Sequence, residues 1–131
     1  MRPAAHPDAF DTAREHEALR RILRRELRTT GQRTLAPEVG IGRGALRKFL
    51  AMSTPGNDTL DRLRDWSNDR PAVTVAPEAV ALAVLAGDFP APRRVWARRQ
   101  IARRMGELLA KVGVAIPSWL EEETSGKPFH P

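Results

Sequence analysis

An all-α fold, a bundle of four helices followed by a smaller helical module, is predicted by three features of this 131-residue sequence. Apolar residues recur at helical spacing: Leu19, Ile22, Leu23 and Leu27 share one face, and Ile101, Met105, Leu108, Leu109 and Val112 share another. Glycines stand just past the apolar runs, at Gly31, Gly40 and Gly113, where helices stop. The one β-prone stretch, Val73-Thr74-Val75, is too little for a sheet.

The elements follow in order. Residues 1–8, with Pro3 and Pro7, read as a loose arm. A first helix runs from about Asp11 to Thr30. At about 100° per residue, Arg20, Arg21, Arg24, Arg25 and Arg28 occupy the arc opposite its apolar stripe. Thr34 suits the cap of a short second helix, Leu35 to Val39, with Pro37 tolerated in the first turn and Gly40 ending it. A third helix opens at Gly42 or Arg43 and reaches Leu50. After the loop Thr54 to Asp58, a fourth turns Leu60, Leu63 and Trp66 inward. Ser67 to Ala76 reads as a linker, dividing the chain into 1–70 and 71–131.

In the second part, Pro77 suits the N1 position of a fifth helix ending at Ala86. That helix is apolar nearly all round, so burial is expected. A sixth runs from Arg93 to Val112. Its arginines are spread round the wheel and read as solvated, except Arg94 and Arg98, which fall in the apolar arc. Those two are expected to snorkel or to pair with an acidic residue across an interface. Trp119-Leu120 should pack back onto the helices, and Glu121 to Pro131 reads as a polar tail. A module of about forty residues cannot bury this much apolar surface alone. It must dock on the first part or meet a second copy of the chain.

Composition narrows the chemistry. Lys+Arg is 22 against 16 Asp+Glu, a net charge of +6, and 19 of the 22 are Arg. The excess favours an anionic partner, although a GC-rich genome also produces an Arg, Ala and Pro bias. The absence of Cys excludes disulfides, Cys-ligated zinc and thiol catalysis. No apolar run has the roughly 18 residues of a membrane span, and the start has no apolar h-region, so a cytoplasmic protein without membrane attachment is expected. His16-Glu17-Ala18-Leu19-Arg20 begins like the zinc-protease pattern, but Arg20 stands where the second His ligand belongs. Asp58, Asp61 and Asp65 are spaced like an exposed helix face, and His6 and His130 lie in the arms. We therefore expect no catalytic residues, no metal and no cofactor.

The informative window is Gln32 to Ala51, QRTLAPEVGIGRGALRKFLA. Ala36 is small where two helices would cross, and Gly40 follows four residues later in the turn. Val39, Ile41, Leu46 and Phe49 are placed to pin the second of these helices onto the first. On the outer face of the 43–50 helix, Arg43, Gly44, Arg47, Lys48 and Ala51 fall together. Small residues there let a helix backbone approach a groove floor, and Arg makes bidentate bonds to guanine O6 and N7. Residues 20–48 hold nine basic and two acidic side chains, a local net charge of +7. The other reading of such a cluster is a solvated face.

The window resembles the lambda-repressor/Cro-like helix-turn-helix family, often called XRE. The resemblance extends upstream through the Leu-rich first helix and downstream to Thr59-Leu60 and Leu63, covering about residues 15–67. It implies a compact helical bundle that binds double-stranded operator DNA as a homodimer, a bacterial transcription regulator such as a repressor. It places Gly42, Arg43, Gly44, Arg47 and Lys48 at base- and backbone-facing positions and Gln32 against a phosphate, with Arg33 and Thr34 beside it. The alternative is a protein-interaction module, such as an adaptor or antitoxin, on the same fold. For Arg20, Arg21 and Arg24, phosphate contact and simple solvation both remain open. No small-molecule effector is identifiable from sequence.

Overall fold

The computed structural model of the protein describes residues 5–125. It is all-helical, with no strand among the described residues. The helices are α1 (Ala5–Leu27), α2 (Gln32–Val39), α3 (Arg43–Leu50), α4 (Asn57–Ser67), α5 (Pro77–Gly87), α6 (Arg94–Lys111) and α7 (Ser118–Ser125). A short 3-10 turn at Ala91–Arg93 leads into α6.

Several boundaries differ from expectation, each for a local reason. α1 begins at Ala5, so residues 5–8 are helical; residues 1–4, and His130 in the expected tail, lie outside the described residues, as does the side chain of His6. α1 ends at Leu27, its last turn closed by the Glu26 carbonyl, which accepts from both the Thr29 and the Thr30 amides. Gly31 has extended backbone and serves as N-cap of α2, displacing Thr34 into the first turn. Its carbonyl accepts from Thr34 and Leu35. Pro37 therefore sits inside α2, where its missing N–H leaves the Arg33 carbonyl without the usual i+4 donor. Glu121 to Ser125 are not tail but the body of α7.

α1 is covered on two sides. On the first, Leu19, Ile22 and Leu23 close on Leu35, Ala36 and Val39 of α2, Leu46 and Phe49 of α3, and Leu63 and Trp66 of α4. On the second, α5 packs against α1 and α6. The buried positions of α5 include Ala79, Ala83 and Ala86, small side chains that allow close helix approach. Leu82, Ala102 and Leu120 form a further cluster that joins α5, α6 and α7. Met52, just past α3, is buried with Ala83 and Ala86. Its φ of 72° is left-handed, a conformation that costs an L-residue about 1–2 kcal/mol. Burial of its side chain and a hydrogen bond from Arg94 Nη1 to its carbonyl (3.0 Å) hold it there.

A buried ionic network completes the second side of α1. Glu17 is 0% exposed, Arg20 4% and Arg98 7%. Arg98 grips both Glu17 oxygens, with Nη1 to Oε2 at 2.8 Å and Nη2 to Oε1 at 2.7 Å. Arg20 Nη1 donates to Glu17 Oε2 at 2.7 Å. Arg98 also donates to both oxygens of Glu123 on α7, at 2.7 and 2.6 Å. The expected pairing of Arg98 with an acidic residue thus occurs within the chain. Arg20 neither faces solvent nor lies open to phosphate, because α5, α6 and α7 cover the arc that the sequence pattern leaves outside.

Burial alone would raise the Glu17 pKa above its ordinary 4.5; the Arg98 hydrogen bonds and charge overcome it and hold the carboxyl at about 2. A depressed folded-state pKa stabilises the fold fully above pH 4.5, and this contribution is lost as pH falls towards 2. Glu17→Gln should therefore lower stability by about 3–5 kcal/mol in urea denaturation, the effect of stranding buried arginines. The variant should also lose less stability than wild type between pH 5 and 2. A loss under about 1 kcal/mol, or an unchanged pH dependence, would contradict the role given to Glu17.

Candidate nucleic-acid interface

The sequence places two short helices, α2 and α3, across a three-residue turn, Gly40-Ile41-Gly42. Gly40 has φ 92°, and the Gly40 and Ile41 amides both bond to the Ala36 carbonyl, at 2.9 and 3.0 Å. A Cβ at Gly40 would stand 3.2 Å from Arg62 Nη1, which itself donates to the Gly40 carbonyl at 3.3 Å. The left-handed φ is what favours glycine here, since the Arg62 guanidinium ends a half-exposed side chain that a Cβ would need to displace only slightly. Leu46 and Phe49 of α3 are buried against Leu35, Ala36 and Val39 of α2. This contact sets which face of α3 turns outward.

That outward face carries Arg43, Gly44, Arg47 and Lys48, all exposed. Arg33 and Thr34 are exposed on the first turn of α2, and Gln32 is half-buried at its start. Neither α2 nor α3 has a side-chain cap, since Gly31 and Gly42 are the N-caps, so their first N–H groups lack an N-cap side-chain acceptor. The acidic residue of α2, Glu38, is turned away: it accepts from Trp66 Nε1 at 2.9 Å and pairs with Arg70. Arg70 in turn stacks over Trp66 at 4.1 Å. The charges of α2 and α3 left without an ion-pair partner among the described residues are thus all cationic: Arg33, Arg43, Arg47 and Lys48. Of the expected site residues, Gln32 and Arg47 line one common cleft; the other six do not line it.

Arg20 is a positioning residue that sequence reasoning missed. Its Nε donates to the Phe49 carbonyl at 2.8 Å, and its guanidinium lies 4.8 Å from the Phe49 ring centroid. A cation on the carbonyls of the last turn complements the negative end of α3. The zinc-protease-like start of the sequence has a different use. Glu17 is committed to arginines, and His16 packs edge-on to Phe49 at 5.7 Å. Burial, then the Arg20 charge, lowers the His16 pKa and keeps the ring neutral. Among the described residues no group of His, Asp and Glu could hold a metal ion, and no helix is long and apolar enough to cross a membrane.

Gly44 is not required by packing, since a Cβ there would meet nothing within 4 Å. Gly44→Ala should stabilise the chain by up to about 1 kcal/mol through helix propensity, measured by thermal or urea unfolding. A destabilised variant would mean that Gly44 serves the fold itself.

No protein-family model, curated protein sequence or solved structure matches this chain.

Proposed function

We propose that the protein is a sequence-specific DNA-binding transcription regulator of helix-turn-helix type, reading the major groove with α3. The observation that carries this reading is the outer face of α3. Two arginines and a lysine without ion-pair partners flank a glycine that the fold does not need. Arg43 and Arg47 would read base edges, while Lys48, Arg33, Thr34 and the first turn of α2 at Gln32 hold phosphates. Gly42 and Gly44 bring the helix close to the groove floor. The protein-interaction alternative draws no support from this face, which no acidic or apolar side chain covers among the described residues.

A homodimer fits the remaining surface. Along and beyond α6, Met105, Leu108 and Val112, with Val114 and Ile116, stay exposed; Leu108 is 49% and Val112 71% accessible. A second copy seated on this stripe would bring two α3 helices into one particle, as reading two half-sites about 34 Å apart requires. Leu108→Glu should then shift a micromolar dimer to monomer in sedimentation without loss of helicity. A monomeric wild type would remove the dimer from the proposal.

Binding to a nonspecific duplex of about 20 base pairs should show log K falling with log salt, by about 0.9 per phosphate neutralised. Arg33→Ala/Lys48→Ala, which removes two of the proposed phosphate contacts, should weaken binding and reduce this slope by about 2. A wild-type slope near zero would contradict the DNA reading and favour a protein partner.

A further inference from the structure

We propose that the cleft enclosed by α1, α3, α6 and α7 is a binding site for a phosphorylated small molecule bearing a ring or apolar portion. The cleft has a volume of about 1000 Å³, the size of a ligand pocket, not of a packing defect. Seven guanidinium groups and two carboxylates line it. Arg21, Arg24, Arg25 and Arg28 come from α1, Arg47 from α3, and Arg98 and Arg99 from α6. The two carboxylates are already engaged, Glu122 with Arg21 at 3.2 Å and Glu123 with Arg98. Arg28, Arg47 and Arg99 have no ion-pair partner among the described residues, and Arg21 Nε is buried without a hydrogen-bond partner.

Such convergence of positive charge raises the local concentration of anions in the cleft. At Arg24, burial, together with the charges of Arg98, Arg20 and Arg21 and against the pull of Glu17, lowers the pKa to about 9. The planar forks of several arginines suit phosphoryl oxygens. The rest of the wall is apolar: Leu27, Leu50, Met52, Val73 and Val95. A bare inorganic anion would leave that surface wet, whereas a ring or hydrocarbon portion covers it. Part of the cleft belongs to α3, where Arg47 would be shared between this ligand and DNA. The ligand would then compete with DNA for Arg47, a consequence that rests on the DNA reading proposed above; binding in the cleft does not.

The test is calorimetric titration of the full chain with ATP and with inorganic tripolyphosphate at about 50 mM salt. One molecule should bind per chain, and ATP more tightly than tripolyphosphate. Arg28→Gln/Arg99→Gln should weaken ATP binding by about ten-fold or more with an unchanged melting temperature, since both side chains are exposed. Arg93→Gln/Arg103→Gln, outside the cleft, should leave it unchanged. Saturation by neither probe would overturn the site, as would equal losses in the two double variants, which mark diffuse charge. Equal affinity for the two probes would overturn the ring-bearing ligand. If neither probe saturates while Arg28→Gln/Arg99→Gln weakens DNA binding, the cleft serves the DNA backbone and the proposal fails. Loss of the DNA reading alone would leave the ATP isotherm intact, so the two failures are distinguishable.

Discussion

Burying the Glu17 carboxylate is tolerated only because Arg98 supplies two charge-assisted hydrogen bonds and Arg20 a third. The donors come from opposite parts of the chain: Arg20 is one turn away on α1, while Arg98 is 81 residues distant on α6. The network therefore closes only when α6 is docked in one orientation on α1. An apolar contact of equal area would tolerate sliding; a doubly bidentate arginine does not. Arg98 then passes the constraint to α7 through Glu123. Arg20 passes it to α3 through the Phe49 carbonyl. The back of the outward-facing helix and the C-terminal helices are thus tied to one buried charge.

This geometry also explains the cleft. α6 and α7 meet α1 through two sets of ion pairs, Arg98 with Glu17 and Glu123 in the interior and Arg21 with Glu122 nearer the surface. Between these contacts and α3, arginines from three helices face a common space. Positive charge that would be unremarkable on a solvated helix is concentrated by the docking. Arg47 stands where the cleft meets the outer face of α3, so the two surfaces share a residue and not merely a boundary.

The sequence made half of this legible. Periodicity found the face Leu19, Ile22 and Leu23, and Gly40 marked the turn between α2 and α3, because both are local properties of chain and backbone. The composition of α5 signals burial, which holds for Ala79, Val80, Leu82, Ala83 and Ala86 but not for Leu85, 53% exposed on the opposite face. What stayed hidden was the second buried side of α1. Helical-wheel reasoning assigns charged arcs to solvent, and only a partner distant in sequence can reverse that assignment for Glu17 and Arg20. Arg98 was readable because a charge within an apolar arc demands a partner, although its identity was not. The same reasoning missed α7, whose run of glutamates reads as tail until Arg21 and Arg98 are seen to face it. Gly31 reads as a stop for α1 but caps the start of α2, since both uses place glycine at the same spot.

We propose that the outer face of α3 reads DNA sequence. The most direct measurement is selection of fragments bound by the full chain from a pool of random duplexes, run in parallel with Arg47→Ala. The account predicts convergence on a guanine-containing, near-palindromic motif, with preference relaxed at one or two positions in the variant. A pool that does not enrich, or a motif untouched by Arg47→Ala, would contradict it.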